Sequence, residues 1–199
     1  MAAQTSQAAR RYRIDPQASE VRLLVYRDGP MARFGHNHVI IGQARGELFV
    51  GETAAASGFQ IEIPVDSLVI DPVSARAEEG SEFSAMVSDP AREGTRKNLL
   101  SPAVLDGSAH PVIRIASAAL AGPAWNPDVS AQVTIRGATR LIRFHAAVTR
   151  SGNDVTVIAA FRVVQSELGM TPFTVLGGAV QVRDAVDLRV RLVARPAER

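Results

Sequence analysis

The chain has 199 residues, of which 46% are hydrophobic and 21% are charged, an ordinary composition for a globular protein with a full core. The formal charge is +2, and the arginines are scattered singly along the chain rather than gathered in a stripe, which argues against binding to nucleic acid. Cysteine is absent, so disulfides, thiolate nucleophiles and cysteine-based zinc sites are excluded.

The start of the chain bears on where the protein is found in the cell. Residues 1–11 are small and polar and lack the apolar stretch of a signal peptide, and we expect them to be disordered. No run of about 18 apolar residues is present, so no membrane span is predicted. Two locations stay open: the cytoplasm, or the periplasm or the cell exterior if a leader has been removed.

Alternation of apolar and polar residues with a period of two predicts β-strands along most of the chain. It is loose at Val21–Leu23–Val25 and strict in the last run, where the even positions from Val180 to Leu192 are mostly apolar. Short Gly-containing turns separate the later runs, which is typical of an all-β meander. The other alternating runs span residues 59–65, 129–135, 142–148 and 155–163.

Residues 71–108 break this alternation and carry helix signals instead. Asp89–Pro90 resembles an N-cap followed by proline in the first helical turn, and Ser101–Pro102 is a stop signal. The run Ala91–Leu100 between them is long enough for about two to three turns. We therefore expect a short helical region around residues 74–105 that caps one end of the β-structure.

The segment from Arg33 to Ile40 has the most unusual composition. In a strand, His36 and His38 would point to the same face, roughly 7 Å apart at a rise of about 3.3 Å per residue, and Phe34 would share that face. Three interpretations stay open: hydrogen bonding in a partly polar mouth, contact with a ligand's polar head, or metal binding. A metal would need further ligands, because two imidazoles are too few for a structural zinc site.

Further binding candidates lie in the cap and near the end of the chain. Arg96 is a candidate to meet an anionic head group, with plain solvation as the alternative. Met170, Phe173 and Leu176 are candidates to line a cavity, or else to fill a core. Gly-x-Ser-x-Gly, His-Glu-x-x-His and Walker motifs are absent from the sequence, so no catalytic residue is predicted and the chain is not expected to be an enzyme.

Four segments, taken together and in order, resemble the YceI-like family of lipocalin-like, polyisoprenoid-binding proteins. They are the opening Tyr12–Arg13–Ile14–Asp15–Pro16, the stretch Asn98–Ile113, the hairpin Val133–Arg140 and the region Leu168–Val186. There are two departures. Thr95–Arg96–Lys97–Asn98 stands where the family usually has an Arg-Asp pair, a variable residue and a histidine, and residues 71–92 resemble an insertion.

The resemblance implies an eight-stranded antiparallel lipocalin-like β-barrel, here a domain of residues 12–195, with a tunnel for an isoprenoid. It implies non-catalytic binding or transport of a polyisoprenoid, a quinone or another long-chain amphiphile, without a required cofactor, and often export to the periplasm. The partner would be a hydrophobic small molecule, and a homodimer stays open. The alternatives are a metal- or haem-linked protein using His36 and His38, and a filled structural barrel without ligand.

Overall fold

The computed structural model describes residues 9–197, apart from the side chain of Leu176. Thirteen strands belong to one sheet, and every pair of neighbouring strands is antiparallel. The predicted all-β class is therefore confirmed. The strands are β1 (Arg10–Ile14), β2 (Glu20–Asp28), β3 (His38–Gly42), β4 (Arg45–Val50), β5 (Gly58–Pro64), β6 (Val69–Ile70), β7 (Val112–Ala121), β8 (Asp128–Ile135), β9 (Ala138–His145), β10 (Ala147–Ser151), β11 (Asp154–Val164), β12 (Thr174–Val175) and β13 (Val180–Pro196).

The two α-helices both lie in the connection between β6 and β7. They are α1 (Val73–Ala77) and α2 (Asp89–Leu100). The helix predicted from Asp89–Pro90 is confirmed, although its N-cap is Ser88, one residue earlier than expected. Within residues 9–197, the structure contains no helix that is both long and apolar enough to cross a membrane.

The first strand begins earlier than the sequence suggests. Arg10 and Arg11 pair with residues of β4, so these two positions belong to the sheet and not to a disordered start. The burial of β1 alternates accordingly, because Tyr12 and Ile14 are buried on one face while Arg11 and Arg13 on the other face are exposed. Residues 1–8, for which disorder is also predicted, lie outside the described part of the chain.

The sheet is built around the long last strand. Leu188 of β13 lies opposite Leu23 of β2 on one side and opposite Phe161 of β11 on the other. The short β1 continues along the same side as β2, and β4 and β3 pair with β1 and β2 in turn. From β4 the sheet runs on through β5, β7, β8 and β9, while β10 pairs with β11.

Strands β2 and β3 are buried on both faces, unlike a strand with one solvated side. Ile40 belongs to the main core on the inner face, whereas Leu24 and Val39 belong to a second cluster on the outer face. Ala75 of α1 and Phe83 cover that outer cluster, and the ring of Phe83 packs edge-on against Tyr26 with 5.4 Å between centroids. The outer face is thus an apolar surface that requires a cover.

The predicted helical cap around residues 74–105 therefore serves two purposes, and only part of it is a cap. Helix α2 turns Thr95, Asn98 and Leu99 toward the interior of the sheet. The preceding segment with α1 lies against the outside of β2 and β3 instead. The expectation of one cap was wrong for this segment, because it assumed that the outer faces of all strands are wet.

The outer cluster should contribute measurably to stability. Phe83 is 4% exposed, so we expect Phe83→Ala to lower the free energy of unfolding by about 3–5 kcal/mol through the lost packing. The nearby Met86 is 95% exposed, and Met86→Ala should change it by less than about 0.5 kcal/mol. Urea denaturation measures both values, and equal values for the two variants would contradict the role assigned to the outer cluster.

Candidate functional site

The inward-facing side chains of the strands enclose a cavity of about 430 Å³. Its lining is almost wholly aliphatic and aromatic, and its volume falls within the usual range of small-molecule sites. The even positions of the last strand predicted to be buried all face it, from Val180 to Leu192. The interior is hollow, which contradicts the alternative of a barrel filled by its own side chains.

Five of the polar residues in the lining lie together at one end of this cavity. Arg27, His36, His38, Thr95 and Asn98 all belong to its lining. The strand register places them together: His38, at the start of β3, lies opposite Val25 near the end of β2. Helix α2 brings Thr95 and Asn98 to the same end, since the hydroxyl oxygen of Thr95 lies 3.4 Å from Nε2 of His38. We call these five residues the polar end.

The two histidines are neighbours, as their spacing predicts. Their ring centroids are 6.2 Å apart, and both rings reach the cavity. They belong to different elements, however. His38 is the first residue of β3, whereas His36 lies before that strand and follows a 3₁₀ turn of residues 32–34. The strand alternation assumed for this segment therefore does not extend back to Phe34.

Behind His38 lies a carboxylate with no exposure to solvent. Oδ2 of Asp71 is 2.7 Å from Nδ1 of His38, and Oδ1 accepts hydrogen bonds from the backbone N–H of Val39 at 2.8 Å and from Arg76 at 2.6 Å. Asp71 follows the short strand β6, and its own N–H donates to the carbonyl of Val39. Its φ of 52° is in the left-handed region, a conformation that costs free energy in a residue with a Cβ.

Arg76 of α1 completes the network from the outer side. This residue is only 9% exposed. Its guanidinium donates to Asp71 and to the backbone carbonyls of Asn37, Phe83 and Ala85. Four acceptors around one guanidinium compensate for the loss of its hydration. The donors of this guanidinium are therefore occupied within the network and are not available to a ligand.

These contacts determine the protonation of the network. Burial alone would raise the pKa of Asp71, but the hydrogen bonds from His38 and Val39, together with the one from Arg76, outweigh it and lower that pKa. The carboxylate is thus ionised and can only accept, so Nδ1 of His38 carries the proton in the Nδ1–Asp71 hydrogen bond. In this tautomer Nε2 presents its lone pair to the cavity.

His36 is held in its neutral form. Burial is the largest cause that lowers its pKa, and the charges of His38, Arg76 and Arg27 act in the same direction, with Asp71 opposing them. The lowered pKa favours the uncharged ring of His36 beside the apolar cavity.

The other residues predicted for the site separate into two groups. Met170 and Phe173 line the cavity, as expected, and Met170 is 8% exposed. Phe34 is 61% exposed and lies outside the lining. Arg96 also lies outside it, because its guanidinium donates to the backbone carbonyls of Leu68 and Asp66. The positions predicted for Phe34 and Arg96 were wrong, and the side chain of Leu176 lies outside the described residues.

The residues of the polar end do not fit a structural zinc site. Nδ1 of His38 and both oxygens of Asp71 are engaged with each other and with Val39 and Arg76. Among residues 9–197, no three or more His, Cys, Asp or Glu side chains are grouped so that they could hold a metal ion. Two imidazoles alone fall short of the three or four protein ligands of a zinc site.

Four residues of the site were not identified as such from the sequence: Asp71, Arg76, Thr95 and Asn98. The only signal was that they fall in the two segments that depart from the family pattern. Asp71 and Arg76 belong to the apparent insertion, and Thr95 and Asn98 to the altered motif in α2. The departures thus mark the polar end, but a departure does not say which side chains meet.

Fold and site together define a class, an antiparallel β-protein with an apolar internal cavity that is polar at one end. A model of the YceI-like domain matches residues 12–194, and the chain belongs to the YceI-like family. None of the curated proteins matches the sequence significantly.

Solved structures share the fold at low sequence identity. BcnA of Burkholderia cenocepacia has a TM-score of 0.64 and 16% identity, over 90% of this chain and 98% of that one. A polyisoprenoid-binding domain from Saccharophagus degradans has a TM-score of 0.61 and 12% identity, over 94% and 98%. The YCEI protein of Campylobacter jejuni has a TM-score of 0.52 and 10% identity, over 73% and 76%. At these identities, the likeness shows a common fold.

Removing the buried carboxylate should destabilise the protein strongly. We expect Asp71→Ala to lower the free energy of unfolding by about 3–5 kcal/mol, because Arg76 would stay buried without its counter-charge. Asp66, in the connection between β5 and β6, is exposed, and Asp66→Ala should cost less than about 0.5 kcal/mol. Denaturant titration of both variants decides the matter, and a loss below about 1 kcal/mol for Asp71→Ala would contradict this role.

The same carboxylate makes stability depend on pH in the acid range. The pKa of Asp71 is lower in the folded than in the unfolded chain, so its contribution is complete above the unfolded value of about 4 and is lost as the pH falls through the folded value. The difference in free energy of unfolding between wild type and Asp71→Asn should therefore be constant between about pH 5 and pH 6. It should shrink as the pH falls below about 5. Urea titrations at a series of pH values measure this, and a difference that grows on acidification would refute it.

Proposed function

We propose that the protein binds one long-chain amphiphile, such as a polyisoprenoid, with the apolar chain inside the cavity. The observation that carries this proposal is the hollow interior, with about 430 Å³ of space and an almost wholly apolar lining. Transfer of an apolar chain from water contributes roughly 25 cal/mol per Å² of buried surface, so the lining alone supplies affinity. Such binding requires no catalytic group.

The strand pairing supports a closed wall around the ligand. Strands β9 and β10 are separated by Ala146 alone, with β8 paired to the first and β11 to the second. We propose that they act as one bent strand, as β1–β2 and β3–β4 do. The wall then has eight strands: β1–β2, β3–β4, β5, β7, β8, β9–β10, β11 and β13. Barrels of about this size hold one small ligand.

The family supports the class of ligand. One structure with this fold is described as a polyisoprenoid-binding domain, and the cavity of this chain would suit a comparable prenyl chain. A quinone with a prenyl tail is a second ligand of the same shape. Export to the periplasm and assembly into a homodimer stay predictions of the sequence.

Blocking the cavity should weaken binding without affecting the fold. Ala159 is buried and lines the cavity, whereas its neighbour Ala160 is exposed on the outer face of β11. We expect Ala159→Leu to weaken binding of geranylgeraniol roughly tenfold, a change of about 1.4 kcal/mol, because the larger side chain occupies ligand space. Ala160→Leu is the matched control and should bind like wild type.

Native mass spectrometry and calorimetric titration measure this binding directly, and thermal unfolding checks that both variants are folded. Stoichiometric binding to wild type that is weakened only by Ala159→Leu supports the proposal. Equal binding by all three proteins would place the ligand outside the cavity. Failure of geranylgeraniol and of a prenyl quinone to bind wild type would overturn the proposed function itself.

A further inference from the structure

One hydrogen-bond acceptor at the polar end has no strong donor among the described residues. Nε2 of His38 lies 3.4 Å from the hydroxyl oxygen of Thr95, a weak distance for a hydrogen bond. That hydroxyl has one proton and donates it to the carbonyl of Ala91 at 2.9 Å, one turn earlier in α2. The lone pair on Nε2 is therefore left for another partner.

The position of this acceptor suits a ligand better than bulk water. The side chain of His38 is 14% exposed, and its ring belongs to the cavity lining beside Val25 and Ile40. A largely desolvated acceptor without a partner costs free energy, and a ligand that donates a hydrogen bond removes that cost. An apolar chain in the cavity would bring its own polar end to this level.

The surrounding charges select the kind of head group. The ionised Asp71 lies directly behind the ring of His38, and Arg76 is already bound to four acceptors. The cation of the polar end, Arg27, is exposed to solvent and donates to the carbonyl of Gly35. An anionic head would therefore set its lone pairs against that of Nε2 without gaining a buried counter-charge. A hydroxyl group can donate its proton to Nε2, and its oxygen can still accept from the side-chain amide of Asn98, another residue of the polar end.

We propose that His38 is the head-group receptor of the cavity and that the site selects long-chain alcohols by accepting a hydrogen bond from their hydroxyl. Asp71 is a positioning residue, because it holds the ring with the proton on Nδ1 and so leaves Nε2 as the acceptor. This inference rests on the proposed function and adds the chemical class of the ligand's polar end.

Two ligands with the same chain test the inference: geranylgeraniol and its methyl ether, in which a methyl group replaces the donor proton. Wild type should bind the alcohol roughly tenfold more tightly than the ether, the usual worth of one net hydrogen bond. In His38→Phe the two ligands should bind equally, because the acceptor is gone. His145→Phe is the control, since that ring is exposed and pairs with Asp128, and it should keep the wild-type preference.

A second measurement uses the wild-type protein and does not depend on the folding of any variant. The ¹⁵N resonances of His38 should show a bare Nε2 and a protonated Nδ1 without ligand, and the alcohol but not the ether should shift Nε2.

Asp71→Asn should mix the two tautomers and reduce the preference for the alcohol, which a merely structural loss of stability would not do.

Each outcome separates the two proposals. Equal binding of alcohol and ether by wild type, or a preference that persists in His38→Phe, overturns the head-group inference while the cavity remains a binding site. An Nε2 resonance that the alcohol leaves unchanged also overturns it. Failure of wild type to bind either ligand overturns the inference together with the proposed function.

Discussion

The carboxylate of Asp71 is the group on which three parts of the structure depend. It accepts from Val39 in the sheet, from Arg76 on the outer helix and from His38 at the cavity. A buried charge is costly unless its hydrogen bonds are satisfied, so the contacts with these three partners stabilise the folded state. The strained φ of Asp71 indicates that this arrangement outweighs a local backbone cost. The site and the outer cover of the sheet are therefore coupled through one side chain.

The second apolar cluster lies on the outer face of strands whose inner face lines the cavity. A cavity forgoes dispersion contacts that a filled core would make, because its lining lacks partner atoms on one side. Strands β2 and β3 gain packing on their outer face instead, where Leu24 and Val39 lie under Ala75 and Phe83. The same segment supplies Arg76, so the cover of the outer face and the support of the polar end come from one short stretch of chain. A space for a ligand and a stable wall are thus compatible.

Affinity and selectivity belong to different parts of the cavity. The apolar lining favours any chain that fits, since burial of apolar surface is not directional. The imidazoles of His36 and His38 lie at one end, where under the proposed function they would meet the head group. Thr95 and Asn98 of this end, and the carboxylate behind His38, stand in the two segments that depart from the usual family pattern. Within a common fold, these segments are where, under the proposed function, the specificity of this chain would be set.

The sequence by itself determined what depends on local periodicity. Alternation identified the inward positions from Val180 to Leu192, proline and serine signals located α2, and a spacing of two brought His36 and His38 together. Only the tertiary structure decided whether the interior is hollow, because apolar side chains that line a cavity and those that fill a core alternate identically. It also decided that Asp71 meets His38 across 33 residues, since strand register, and not sequence distance, brings such groups together.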